Sequence, residues 1–88
     1  MKRTHRIMFV CHGNICRSPM AEFLLKDMVK KEGLADSFVI ASAGTSREEL
    51  GNPVHQGTLK KLAQDHISAA GKQAVQLTKE DYDKYDLI

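Results

Sequence analysis

Four apolar residues, Ile7-Met8-Phe9-Val10, stand between polar flanks near the start of the chain. A run of that length reads as a buried strand of a parallel sheet, covered on both faces. A polar, Gly-containing stretch follows from His12 to Arg17. Ser18-Pro19 then predicts a helix start, with a hydroxyl N-cap and Pro at the first helical position. Met20, Phe23, Leu24 and Met28 fall on one face at helical spacing, with Leu25 beside them, and predict the packed side of that helix. Lys30 and Lys31 suit the negative end of a helix dipole, and Gly33 supplies the break. Phe38-Val39-Ile40-Ala41 reads as a second buried strand running into Ser42-Ala43-Gly44-Thr45. Residues 47–53 read as a loop and 55–64 as a helix whose apolar side is Leu59, Leu62 and Ala63. Thr78 and Asp81 have the spacing of a capping box, which predicts a short helix over 79–85. Asp86-Leu87-Ile88 begins a third strand.

Strands alternating with helices predict an α/β fold with a parallel sheet and right-handed crossovers. The 88 residues make one small domain. A chain of this size buries only about 60–65% of its unfolded surface. The third strand has barely begun at Ile88, so the domain is expected to be C-terminally truncated. An uncovered sheet edge and face would then favour self-association.

Composition narrows the function. A formal charge of +2, with scattered lysines, is too slight to argue for a nucleic-acid or membrane-surface binder, and neither partner is expected. No apolar run approaches the roughly 20 residues of a membrane span. The basic start from Met1 to Arg6 precedes only four apolar residues, too few for a secretory leader. Without a leader, the two cysteines, Cys11 and Cys16, are expected to be reduced thiols in the cytoplasm. His55, His66 and Arg47 read as solvated surface residues, and Tyr82 and Tyr85 as packing residues.

The chemistry lies in Cys11-His12-Gly13-Asn14-Ile15-Cys16-Arg17-Ser18, set between a strand and a helix start. A loop wrapped before a helix N-terminus turns backbone N–H groups inward and makes an anion site. Gly13 permits close approach and unusual dihedrals, and Asn14 tolerates a left-handed conformation. Arg17 offers a planar fork for two phosphate oxygens. Cys11, at the base of the loop, feels the same positive field and should ionise near neutral pH. A thiolate under a phosphate can attack phosphorus in line. The Ser18 hydroxyl can stabilise the sulfur as a leaving group. A zinc site built from Cys11, Cys16, His5 and His12 has the wrong cysteine spacing, and no Gly-Lys-Ser/Thr of a nucleotide-binding loop is present.

Cys-x-Gly-Asn-x-Cys-Arg-Ser-Pro in this position resembles the motif of the low-molecular-weight protein tyrosine phosphatases. Ser42-Ala43-Gly44-Thr45, Gly51-Asn52-Pro53, Gln76-Leu77-Thr78 and Tyr85-Asp86-Leu87-Ile88 extend the resemblance along the chain in the family's order. It implies a phosphotyrosine phosphatase I-like, Rossmann-like three-layer fold, with residues 1–88 as the N-terminal portion of the domain. It also implies a cytoplasmic enzyme that hydrolyses phosphotyrosine proteins or small aryl phosphates through a phosphocysteine, without metal or other cofactor. Inorganic phosphate, sulfate and vanadate are then ligands of the loop.

The roles carried over are specific. Cys11 is the nucleophile, and Arg17 binds phosphate and stabilises the transition state. His12, Gly13, Asn14, Ile15, Cys16, Arg17 and Ser18 line the cradle. Asn14 and Ser18 support the loop together with Ser42, the expected partner of Asn14. Cys16 traps oxidised Cys11 as a reversible disulfide. Two departures stand out. Gly71 occupies the place of a histidine that precedes a lysine in the family, which calls one loop-bracing hydrogen bond into question. The family's Asp-Pro general acid is expected beyond residue 88, since Asp81, Asp83 and Asp86 lack a following Pro. Two alternatives stay open: an arsenate reductase of the same fold, and a non-catalytic phosphate- or phosphoprotein-binding fragment.

Overall fold

The computed structural model describes residues 3–88, so Met1 and Lys2 of the basic start lie outside it. Strand β1 spans His5–Cys11, helix α1 Arg17–Lys31, strand β2 Phe38–Gly44, helix α2 Gln56–Gln64 and helix α3 Lys79–Lys84. β1 and β2 are parallel, in a register that pairs His5 with Phe38 and Cys11 with Gly44. The third strand begins where expected. Leu87 bridges Ile7 in parallel on the edge of β1 away from β2, and the Met8 N–H donates to the Leu87 carbonyl at 2.8 Å. This is the α/β, parallel-sheet arrangement read from the sequence, with β1 in the middle.

Capping fixes the helix ends. At the C-terminus of α1, Gly33 takes φ 72°, Gly33 N–H donates to Lys30 and Leu34 N–H to Val29. That is a Schellman closure, and it needs the left-handed conformation that glycine adopts without penalty. At α3 the carboxylate of Asp81 accepts the Thr78 N–H at 2.8 Å, completing the capping box. The helix ends at Lys84, and Tyr85 is its C-cap.

The start of α1 differs from expectation. Its N-cap is Cys16, which makes no side-chain capping bond, and Ser18 already lies inside the helix. The Ser18 hydroxyl is turned toward the loop instead of back along the helix.

Packing also differs. α1 lies against both strands and buries Ser18, Pro19, Glu22 and Val29. Met20 and Phe23 join Leu59 and Ile67 around a small core of Val54, Leu62 and Ala69. Leu24 and Met28, expected in the packed side, are exposed at 37% and 61%. The helix has turned the Ser18–Glu22–Val29 line toward the sheet, so these two side chains point away from both neighbours. Likewise Met8 and Ile40 are buried in the strands while Val39 is exposed, because α1 covers a single face of the sheet. No helix among the described residues is long and apolar enough to cross a membrane.

Candidate active site

The loop 11–18 joins the C-terminal end of β1 to the first turn of α1. Its carbonyls face outward. Those of Cys11, His12 and Ile15 accept N–H groups of Thr45, Ser46 and His55 at 3.0, 3.0 and 2.7 Å. The N–H groups of Gly13, Asn14 and Ser18 turn the other way, toward the Cys11 sulfur. Asn14 N–H reaches it at 3.3 Å. The first turn of α1 carries no acidic side chain, so its positive end is left open to an anion.

The left-handed residue is Asn14, at φ 58°, and Gly13 is not among the positive-φ residues. The glycine with the closest contacts is Gly44, at the end of β2. A Cβ there would meet the His12 carbonyl oxygen at 2.8 Å and Asn14 Cβ at 3.2 Å. Only a bare backbone lets β2 end against the loop.

Cys11 is half-buried, and burial pushes its thiol pKa up. The Ser18 hydroxyl and the N–H groups of Ser18, Asn14 and Gly13 outweigh that, and bring it from 9.0 down to about 7. The directions of these bonds follow from their partners. The Ser18 Oγ lies 3.1 Å from Cys11 Sγ and 3.5 Å from the Ala43 carbonyl. Its one proton is best spent on an ionised sulfur. The Ser42 hydroxyl donates to a carboxylate oxygen of Glu22. Both hydroxyl oxygens are then acceptors, and the Asn14 amide nitrogen donates to Ser18 at 2.8 Å and to Ser42 at 2.9 Å. The Asn14 amide oxygen accepts the Val75 N–H at 2.9 Å. The expected Asn14–Ser42 partnership is present, and the network runs without a break from Cys11 to Glu22.

The other predicted residues fall around this core. His12 is exposed on the rim, its Nε2 3.2 Å from Glu48. Ile15 is half-buried, and the Arg17 side chain is exposed at the helix start. Cys16 is a free thiol whose sulfur accepts a hydrogen bond from buried Thr58 at 3.3 Å. His5 stacks on Phe38 at the far end of β1, so the four residues of the zinc alternative do not meet.

Three contributors escaped sequence reasoning. Glu22 is a charged residue on a helix face expected to be apolar. His55 is solvated as expected, and it also serves as the N-cap of α2, its Nδ1 accepting Gly57 N–H. Lys72, the residue after Gly71, supplies a bond to the loop support that the sequence did not point to. Its ammonium donates to the Ser42 carbonyl at 3.1 Å, so the loop support is braced by the residue after Gly71. Gly71 takes φ 88° in the turn and offers no side chain. The spacing of a flexible lysine from its target cannot be read from sequence, and that is why the brace escaped notice.

Comparison with known proteins assigns the family. A family model described as low molecular weight phosphotyrosine protein phosphatase matches residues 6–88. This chain belongs to that family. It is 44% identical over 82 residues to the low molecular weight protein-tyrosine-phosphatase YfkJ of Bacillus subtilis, covering 93% of this chain and 53% of YfkJ. The crystal structure of YfkJ superimposes with a TM-score of 0.90 at 42% identity, over 96% of this chain and 54% of that one. The crystal structure of DARP, a Drosophila arginine phosphatase, does so with a TM-score of 0.86 at 31% identity, over 99% and 52%. The chain therefore spans about half the length of the relatives it matches.

Proposed function

We propose that residues 1–88 form the nucleophile-bearing portion of a cytoplasmic protein tyrosine phosphatase domain, acting on phosphotyrosine proteins and small aryl phosphates without a cofactor. The observation that carries this reading is the Cys11 sulfur held by the Ser18 hydroxyl and the Asn14 N–H at the open end of a helix. Family membership supports it.

In the proposed mechanism the inward N–H groups of the loop and the Arg17 guanidinium hold the three non-bridging phosphate oxygens. The Cys11 thiolate attacks phosphorus in line. An S–P bond forms as the P–O bond to the aryl group breaks, and the electron pair leaves on the aryl oxygen. Water then attacks phosphorus, inorganic phosphate departs and the thiolate is regenerated, with the Ser18 O–H stabilising the leaving sulfur. The departing phenolate of tyrosine, with a pKa of about 10, gains from a proton delivered by a general acid, which is worth about 10²–10⁴ in rate. Asp81, Asp83 and Asp86 lack the following Pro of the family's general acid. The contacts of two of them are structural: Asp81 caps α3 and the Asp86 carboxylate accepts the Arg6 N–H. Nitrophenolate leaves unaided and is the better probe of the loop itself.

A cytoplasmic setting keeps both thiols reduced, as this chemistry requires. Cys16, neighbouring the cradle, is proposed as the redox partner of Cys11. The exposed apolar residues Leu24, Met28 and Val39 support self-association of the 88-residue chain.

Hydrolysis of para-nitrophenyl phosphate by the chain, competed by vanadate and lowered more than about 10³-fold by Cys11→Ser, is the expected result. Turnover unaffected by Cys11→Ser would overturn the assignment. A phosphotyrosine peptide is expected to be cleaved in preference to phosphoarginine, and the reverse order would reassign the substrate class.

A further inference from the structure

The polar network that starts at Cys11 passes through Ser18, Asn14 and Ser42 and ends on two charges. Glu22, with 5% of its side chain exposed, accepts from Ser42 and pairs with Lys26 at 2.6 Å. Lys72, with 15% exposed, lies 3.8 Å from Glu22 Oε1, the oxygen that accepts from Ser42, and bonds the Ser42 carbonyl. The two lysines are not equivalent. Lys26 sits one turn along α1 from Glu22, close enough to balance its charge alone. Lys72 comes from the segment between α2 and α3 and is the cation bonded to the backbone of β2 beneath the loop.

We propose that Lys72 is a positioning residue for the nucleophile. By holding the Ser42 carbonyl while Glu22 holds the Ser42 hydroxyl, it fixes the Ser42–Asn14–Ser18 chain that sets the Cys11 sulfur.

Two physical points support this. A buried lysine forfeits hydration and side-chain freedom, and one placed where a nearer cation already serves the carboxylate needs another reason to be there. That reason is the bond to Ser42. Asn14 sits in a left-handed conformation, and such strained positions persist only where surrounding bonds over-determine them. Ser42 supplies one of those bonds, so a slack Ser42 loosens Asn14. The charged groups facing the ammonium are Glu22 and Lys26 of α1. Burial pulls the Lys72 pKa down, Glu22 raises it and Lys26 lowers it further. Beyond them Tyr85, following α3, feels Glu22 and Asp81. β2 presents neutral Ser42.

This inference rests on the proposed role of Cys11, yet its test needs no turnover. The Cys11-specific rate of alkylation by iodoacetamide is followed by peptide mass spectrometry from pH 5 to 10 in the full chain. The parent midpoint is expected near 7. In Lys72→Met it is expected to rise by about one pH unit, which lowers the rate at pH 7 about fivefold. Lys72→Arg, which keeps a donor for the carbonyl, is expected to return it most of the way. The charge-balanced double variant Glu22→Gln/Lys72→Met, whose side-chain amide oxygen on α1 can still accept from Ser42, is expected to stay as high as Lys72→Met. A folded Lys72→Met with the parent midpoint overturns the proposal. So does a double variant that regains the parent midpoint, because Lys72 would then only neutralise Glu22. If Lys72→Met does not fold, the double variant carries the same decision. A parent midpoint at the ordinary value of a free thiol would count instead against the proposed role of the loop.

Discussion

The surroundings of the nucleophile loop and the outer side of the chain reverse the usual order of a small domain. Around the loop the interior is polar: Asn14, Ser18, Glu22, Ser42 and Thr58 are all buried. On the outside large apolar groups stand in water, among them Leu24, Met28, Leu34, Val39 and Leu87. Every buried side-chain nitrogen and oxygen among the described residues nonetheless has a partner. The loop region is thus held by directional bonds, each specifying a neighbour, where most cores of this size are held by area removed from water. Such a network fixes geometry well, but it fails sharply when one member is lost.

That contrast can be broken at several points. The largest loss is expected from Glu22→Ala, which strands Lys72 and frees the Ser42 hydroxyl. Denaturant unfolding should report about 3 kcal/mol less stability, the low end for an opened buried pair. A loss below about 0.5 kcal/mol would mean that water already reaches the pair. Gly44→Ala follows. Its Cβ would press on the His12 carbonyl at 2.8 Å, so the loop must shift. About 2 kcal/mol of stability and at least about tenfold in vanadate affinity are expected to go, and calorimetric titration measures the second directly.

A smaller effect concerns pH. The Cys11 thiol falls to about 7 on folding from 9.0. A lowered folded pKa adds stability that is complete above the unfolded value and is lost as pH falls through the folded one. Between pH 7 and 9 the parent should therefore gain stability relative to Cys11→Ser, and below pH 7 the difference should be flat. Parallel denaturation curves of the two across that range test the sign. The smallest effect belongs to the outer side. Met28→Lys, at a position 61% exposed, should change stability by less than about 0.5 kcal/mol while reducing self-association seen by light scattering. A large loss there would show that Met28 is covered in solution.

Sequence pattern located the strands, the helices and the loop, because each has a local cause. Ile7–Val10 and Phe38–Ala41 are short apolar runs, Gly33 and Thr78–Asp81 are local caps, and Cys11–Ser18 is contiguous. It failed where the cause is distant. Leu24 and Met28 have helical spacing with Met20 and Phe23, but periodicity does not say which way the helix is rolled. Here the Glu22–Ser42 bond and the Ser18 hydroxyl roll it. Ser18 read as a cap because hydroxyls before Pro usually are. Its bond to the Cys11 sulfur depends on the loop closing seven residues back. Lys72 could not be paired with Ser42 by any local rule across 30 residues.

The bond from Val75 N–H to the Asn14 side chain closes a span of 61 residues. Closing so long a loop carries an entropic cost before any contact rewards it, and contacts of high sequence separation form late. On a ribosome the thiol at position 11 emerges early, whereas the segment that completes its surroundings comes long after. Until that segment docks, the Asn14 amide oxygen lacks its Val75 donor, and the left-handed turn beside Cys11 is short of one of its bonds. The rate at which Cys11 becomes alkylatable during refolding therefore reports when the loop around it is assembled.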